Sequence, residues 1–498
     1  MGPYLASLVT ACSPDNVLRR DAALLLGASC AALLAACSGS TAPSDATAGA
    51  KCEGQHWLAA WSASPQASTL LSGSGLAVQE FEADLLAHQD IFPNLALAQV
   101  FNDQSLRLIV APHAAGASMR LRLSNRFQKS AVTLDHVYVG LSQSGAGLVP
   151  DSNRAVSFDG NGEVTLEPGA EVSSDTVALP VRPFQNLAIS FHIKGLLVAV
   201  DYHLTAQQVS YLSALPGSYG DQEGASAFGT TVSSWYVLNG IDVLAPAASG
   251  AVVSFGDSLT DGYLSSYNSN SRYPDFLARR LLAAPSAPQL SVLDAGISGN
   301  FVASDSYIFG PAGTSRFAAD ALAQPGVTDV IVYEGINDIG GAPNDAATAD
   351  QVIAADKALI AQAHARGLNV IGATLTPAAG AKDSAAGKAG EPQALRQTVN
   401  DWIRGSGAFD AVADFDAAVR DPADPTRIAA RSTAAITCIS TMPATRRWRR
   451  RWTWVRCAVP GADEESLGLS RFCYCDRASE EFNCNRDRPN DGRLVDKT

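Results

Sequence analysis

From Trp57 to about Leu244, apolar residues fall on alternate positions. Ser118-Met119-Arg120-Leu121-Arg122-Leu123-Ser124 alternates apolar and polar side chains, as a strand with one buried and one wet face must. Leu106 to Val110 and Leu187 to Ile193 repeat the pattern, and no long helical period interrupts it. Short strands punctuated by Gly and Asn turns predict an all-β sandwich or jelly-roll domain over residues 57–244. Ala245-Pro246-Ala247-Ala248-Ser249-Gly250 reads as a linker.

Beyond Gly250 the period changes. Strands are expected at Val252–Phe255, Leu290–Leu293, Asp329–Tyr333, Asn369–Leu375 and Ala411–Phe415. Helices are expected at Tyr273–Leu282, Ala349–Arg366 and Gln393–Arg404. Strands alternating with helices predict an α/β domain over residues 251–430, with a parallel sheet covered on both faces. Open sheets of this kind place their sites at the carboxyl ends of the strands. The residues just after each strand therefore carry the functional question.

Composition adds bounds. The chain has 498 residues, enough for two domains plus tails, and 47% of them are hydrophobic, enough for real cores. A net charge of −13 argues against nucleic acid as a partner. Arg19 and Arg20 precede an apolar run from Ala22 to Ala36, which ends in Leu34-Ala35-Ala36-Cys37. A basic start, a short apolar segment and small residues form an export signal over residues 1–37, too short to span a membrane as a mature helix. Cys37 stands where a bacterial lipobox places its lipidated cysteine. The expectation is a cell-envelope lipoprotein that touches the membrane only through its lipid; plain secretion after ordinary cleavage is the alternative. Residues 1–16 lie upstream of the basic region and read as an over-called start, with Val17 as an alternative initiator. Residues 38–56 read as a flexible tether. Of nine cysteines, none lies between Cys52 and Cys438, so the folded body uses no disulfide framework.

The chemistry-bearing residues follow three strands. Gly256-Asp257-Ser258-Leu259-Thr260-Asp261-Gly262 comes after the first. Gly256 permits a sharp turn, and Ser258 would stand at a helix N-terminus, where free N–H groups favour negative charge. A serine in that place is either a nucleophile or simply a cap. Gly296-Ile297-Ser298-Gly299-Asn300 follows the second strand, where Gly299 is either an oxyanion donor or a turn. Glu334-Gly335-Ile336-Asn337-Asp338 follows the third, and the Asn337 amide suits a second oxyanion donor.

Together, in this order, these segments resemble the SGNH (GDSL) hydrolase family, whose marker residues are Ser, Gly, Asn and His. Gly256-Asp257-Ser258-Leu259 matches the first block, Gly299 the second, and Gly335-x-Asn337-Asp338 the third. The resemblance covers Ala251 to about Arg427. It implies a flavodoxin-like three-layer parallel sheet and hydrolysis of carboxylic esters without metal or cofactor. Ser258 would be the nucleophile, and its own N–H, Gly299 and Asn337 the oxyanion hole. The partner would be a small-molecule or carbohydrate ester. Some members carry a β domain ahead of the hydrolase, and Trp57 to Pro65 looks like their opening segment.

The family's fourth block, Asp-x-x-His, is missing. The histidines are His56, His88, His113, His136, His192, His203 and His364, and none follows His364. That residue falls on the solvent face of its helix, while His113, His192 and His203 read as structural residues of the β domain. From Thr445 to Trp454 the chain becomes basic and Trp-rich, without amphipathic period. The genetic code offers a reason. In the frame joining the last base of each codon to the first two of the next, the Cys438–Ile439 junction encodes His or Tyr. Thr437–Cys438 gives Leu, Met or Val, and Ala435–Ile436 permits Asp. Asp-x-Leu-His is therefore available, followed by a helix with apolar positions. A frameshift between about Arg427 and Ala435 is expected, leaving residues 431–498 as an aberrant tail and the esterase impaired. Two rival readings remain. One is a non-catalytic surface carbohydrate-binding protein on an inert hydrolase scaffold; the other is a genuine Cys-rich tail, in which Cys473-Tyr474-Cys475 lacks the usual zinc spacing.

Overall fold

A computed structural model describes residues 54–67, 100–198, 200–284, 289–306, 309–340, 348–380 and 391–429. The export signal, Cys37, most of the tether and the tail beyond residue 430 lie outside the described residues.

The period-two pattern becomes strand as expected. In Met119–Ser124, Met119, Leu121 and Leu123 are fully buried, while Arg120 and Arg122 point to the other face. There both guanidinium groups meet Asp242 of the neighbouring strand, at 2.9 and 3.0 Å. Two cations against that buried carboxylate, one of them hydrogen-bonded to it, are what make its burial tolerable. Among the described residues two large antiparallel sheets result, with a two-stranded one pairing Tyr202–His203 with Trp235–Tyr236. One has four strands, with Gln55–Ser62 and Met119–Ser124 flanking Leu238–Pro246. The other is built around Phe101–Val110, Leu187–Leu197 and Val132–Ser144.

The second half forms a five-stranded parallel sheet in which chain order 2-1-3-4-5 runs across the sheet. Its first strand, Gly250–Gly256, is buried along its whole length between Leu290–Gly296 and Val327–Tyr333. A strand covered by neighbours and on both faces must be apolar or small throughout, which is why Ala251-Val252-Val253-Ser254-Phe255 does not alternate. The expected helices form at Tyr273–Leu282, Ala349–His364 and Glu391–Gly405. Thr348 caps the second by accepting from Gln351 N–H, while the Gln351 side chain accepts from Thr348 N–H, a reciprocal box that fixes its start.

One expectation is corrected. The stretch read as a linker, Ala245 to Gly250, is strand at both ends with a short turn between. The strand Leu238–Pro246 runs through Ala245, which is fully buried and pairs with His56. A turn closed by Ser249 N–H on the Pro246 carbonyl then leads straight into the first parallel strand. The antiparallel and parallel parts belong to one compact unit. Ala59 N–H donates to the Pro325 carbonyl, Ser62 Oγ to the Asp294 carbonyl, and Arg126 binds Asp320 at 2.7 Å.

Candidate active site

Gly256, Gly296 and Tyr333 end three adjacent strands in register, with Gly256 paired to both neighbours. Ser258, Gly299 and Asn337 lie two, three and four residues beyond those ends, so the sheet delivers all three segments to one edge. Gly256 is required there: a Cβ would stand 2.3 Å from the Tyr333 carbonyl oxygen. Asp257 then caps a single helical turn, Ser258–Asp261, by accepting from Leu259 N–H at 2.9 Å. Ser258 is the first residue of that turn and is partly exposed.

The second segment is a four-residue turn, Ile297 to Asn300, closed by Asn300 N–H on the Ile297 carbonyl at 3.1 Å. Gly299 occupies its third position at φ +80°, as a type II turn demands. In the third segment, Gly335 turns the chain at φ +119° into the short helix Ile336–Gly340. Asp338 accepts from Val302 and Ala303 N–H, both at 2.9 Å, and Asn337 donates its amide to the Asn300 carbonyl at 2.9 Å. The third segment thus holds the second in place. Among the described residues, Ser258 Oγ, Ser258 N–H and Gly299 N–H make no hydrogen bond, and one hydrogen of the Asn337 amide remains to spare.

Sequence reasoning missed Arg316. This buried guanidinium donates to the carbonyls of Gly256 and Ala295 at 2.8 Å and to Asn300 Oδ1 at 2.7 Å. It also pairs with Glu334 at 3.3 Å and stacks on Phe255. One side chain therefore clamps all three strand ends. Its only sequence signal is a cation after Thr314-Ser315 with Asp320 one helical turn later, a pattern that an exposed helix face shows as well. Its charge acts on Asp257 and Glu334, and Asp338 and Asp356 lie near enough to Glu334 to couple with it. Burial pushes each carboxyl upward, Glu334 to about 7 and Asp257 and Asp356 well above the usual range. Mutual repulsion adds to the effect for Asp257, Glu334 and Asp356. One arginine cannot neutralise four acids, so some of them hold their protons.

No described histidine hydrogen-bonds Ser258. His203 lies between the Ser64 carbonyl and Asp261, both at 3.0 Å. His113 lies between the Val292 carbonyl at 2.6 Å and Asp275 at 3.0 Å. His192 binds Asp135, and the half-exposed His364 binds Asp410. All four have structural partners.

An open parallel sheet with reactive and donor groups gathered at its carboxyl edge is the class of scaffold on which α/β enzymes build their sites. Residues 254–433 match the model of the GDSL-like lipase/acylhydrolase family, so the chain carries a hydrolase domain of that family behind a β-rich region. Among solved structures, it is similar to the lipase/acylhydrolase from Enterococcus faecalis, at 19% identity over 38% of this chain and 92% of that one, with a TM-score of 0.29. A GDSL-like lipase from Bacteroides thetaiotaomicron VPI-5482 gives 19% identity over 38% and 83%, with a TM-score of 0.28. No curated protein matches the chain.

Proposed function

We propose that the protein is a carboxylic ester hydrolase acting through an acyl intermediate on Ser258, and that the chain as written is impaired. The carrying observation is that three segments leaving adjacent strand ends bring groups uncommitted among the described residues to one edge of the sheet: Ser258 Oγ, the N–H groups of Ser258 and Gly299, and the spare Asn337 hydrogen. A hydroxyl needs a base to become a nucleophile, and a tetrahedral intermediate needs donors aimed at its oxyanion. The donors are supplied. The base is the missing part, and a frameshift near residues 427–435 accounts for its loss. In support, the family match stops at residue 433, close to where the composition changes.

The wider reading has three further parts. The parallel sheet is the middle of three layers, with the β-rich region as a sandwich beside it. The substrate is an acetylated carbohydrate, a lipid or an aryl ester. The mature protein is an exported lipoprotein anchored at Cys37. A fluorophosphonate probe applied to the frame-restored chain tests the central claim, since only an activated serine reacts quickly. Labelling that survives Ser258→Ala would end the assignment. Metabolic labelling with a fatty acid, compared with Cys37→Ser, tests the anchor.

A further inference from the structure

Asp261 closes the helical turn that Ser258 opens, and its side chain is sealed from solvent. Its Oδ2 accepts from Ser298 N–H at 3.0 Å, from Ser298 Oγ at 2.5 Å and from the Thr205 hydroxyl. Its Oδ1 faces His203 Nε2 at 3.0 Å. Thr205 and His203 belong to the β-rich part, 56 and 58 residues away along the chain. Ser298 is the residue immediately before Gly299, inside the turn that presents the Gly299 N–H.

The protons can be counted. His203 Nδ1 faces the Ser64 carbonyl, which only accepts, so Nδ1 carries hydrogen. Nε2 faces a carboxylate that already takes three donors, so it carries hydrogen as well, and the ring is an imidazolium. Burial alone would lower the pKa of His203, but the Asp261 charge and hydrogen bond outweigh it and leave it raised. Burial would raise Asp261, yet His203, Arg272 and Ser298 bring it below the usual carboxylate range.

We infer that the β-rich part is a wall of the ester site, in which His203 and Thr205 fix Asp261, and Asp261 fixes Ser298 and so the direction of the Gly299 N–H. Asp261 and His203 are positioning residues for the oxyanion turn. This assignment of a catalytic consequence rests on the esterase reading; the mechanical link does not.

The test uses the full chain and two readouts. Hydrogen exchange follows the amides of residues 297–300 in the written chain, and aryl-acetate turnover is measured in the frame-restored chain over a Ser258→Ala background. Asp261→Asn should speed exchange of the Ser298 amide by roughly tenfold or more, the size of a hydrogen bond to a charged group. It should also lower Ser258-dependent kcat by about 10–100-fold with little change in KM, as small misplacements of catalytic groups do. His203→Gln keeps a donor but loses the charge and should fall between. If Asp261→Asn does not fold, Ser298→Ala and Thr205→Val carry the same comparison with milder perturbation. Folded variants whose 297–300 amides exchange as in the parent overturn the inference. Turnover unchanged by Ser258→Ala defeats the esterase reading instead, and the exchange data still decide whether the β-rich part holds the turn.

Discussion

The Asn337 side chain donates to the Asn300 carbonyl at 2.9 Å, so the third loop at the sheet edge pins the second. Under the proposed mechanism the same amide has two tasks. One hydrogen keeps the Ile297–Asn300 turn in position, and the other is available to a developing oxyanion. Replacing it removes both.

Asn337→Ala in a frame-restored chain should lower kcat on an aryl acetate by about 10²–10³-fold while KM changes little, the usual effect of losing one oxyanion donor. Steady-state kinetics check this. A loss confined to KM would assign Asn337 to substrate binding instead.

Restoring the reading frame should raise activity far above that of the written chain. In serine proteases, losing the histidine costs about 10⁶-fold in kcat, with donors and binding leaving a remnant of roughly 10³–10⁴ over water. The written chain should sit near that remnant. Equal kcat values for the two chains would mean that another group supplies the base and that the tail is not the lesion.

Arg316 should be indispensable for stability. Arg316→Ala leaves the Glu334 carboxyl without its cation and removes a donor from the Ala295 and Gly256 carbonyls, the latter keeping only Ile297 N–H, which in a buried site costs about 3–5 kcal/mol. Arg316→Lys should recover only part of this, since one ammonium cannot span the fork of acceptors. Urea unfolding monitored by Trp fluorescence measures both. Full rescue by lysine would show that charge, rather than geometry, is what the strand ends need.

Glu334 sets a pH dependence with a definite sign. Its carboxyl rises from 4.5 to about 7 on folding, chiefly through burial, and its Oε2 has no hydrogen-bond partner. The native state therefore binds more protons than the unfolded chain between about pH 4.5 and 7, and stability falls as pH rises through that window. Glu334→Gln removes this contribution. Relative to the parent, the variant should gain about 2–4 kcal/mol on going from pH 4.5 to pH 8. Denaturation at the two pH values checks it, and a difference independent of pH would mean that Arg316 keeps Glu334 ionised throughout.

Much of this was readable from local order along the chain. The helix Tyr273–Leu282 forms as expected. The alternation in Met119–Ser124 and the continuous burial of Gly250–Gly256 announced one antiparallel and one parallel environment. Gly256 and Gly299 announced turns that no other residue fits without strain. These features are written in neighbouring residues, because strand and helix periods and backbone angles are local properties. The small, Pro-containing stretch at Ala245 misled for the same reason: its composition is that of a loop, and only pairing with His56 makes it strand. Arg316, Asp261 and His203 could not be placed in advance. Each is a polar residue whose role consists of bonds to groups many positions away, such as Gly256 for Arg316 and Asp261 for His203. Such bonds leave no period in the sequence, and they exist only once packing has excluded water and brought these groups within reach of one another.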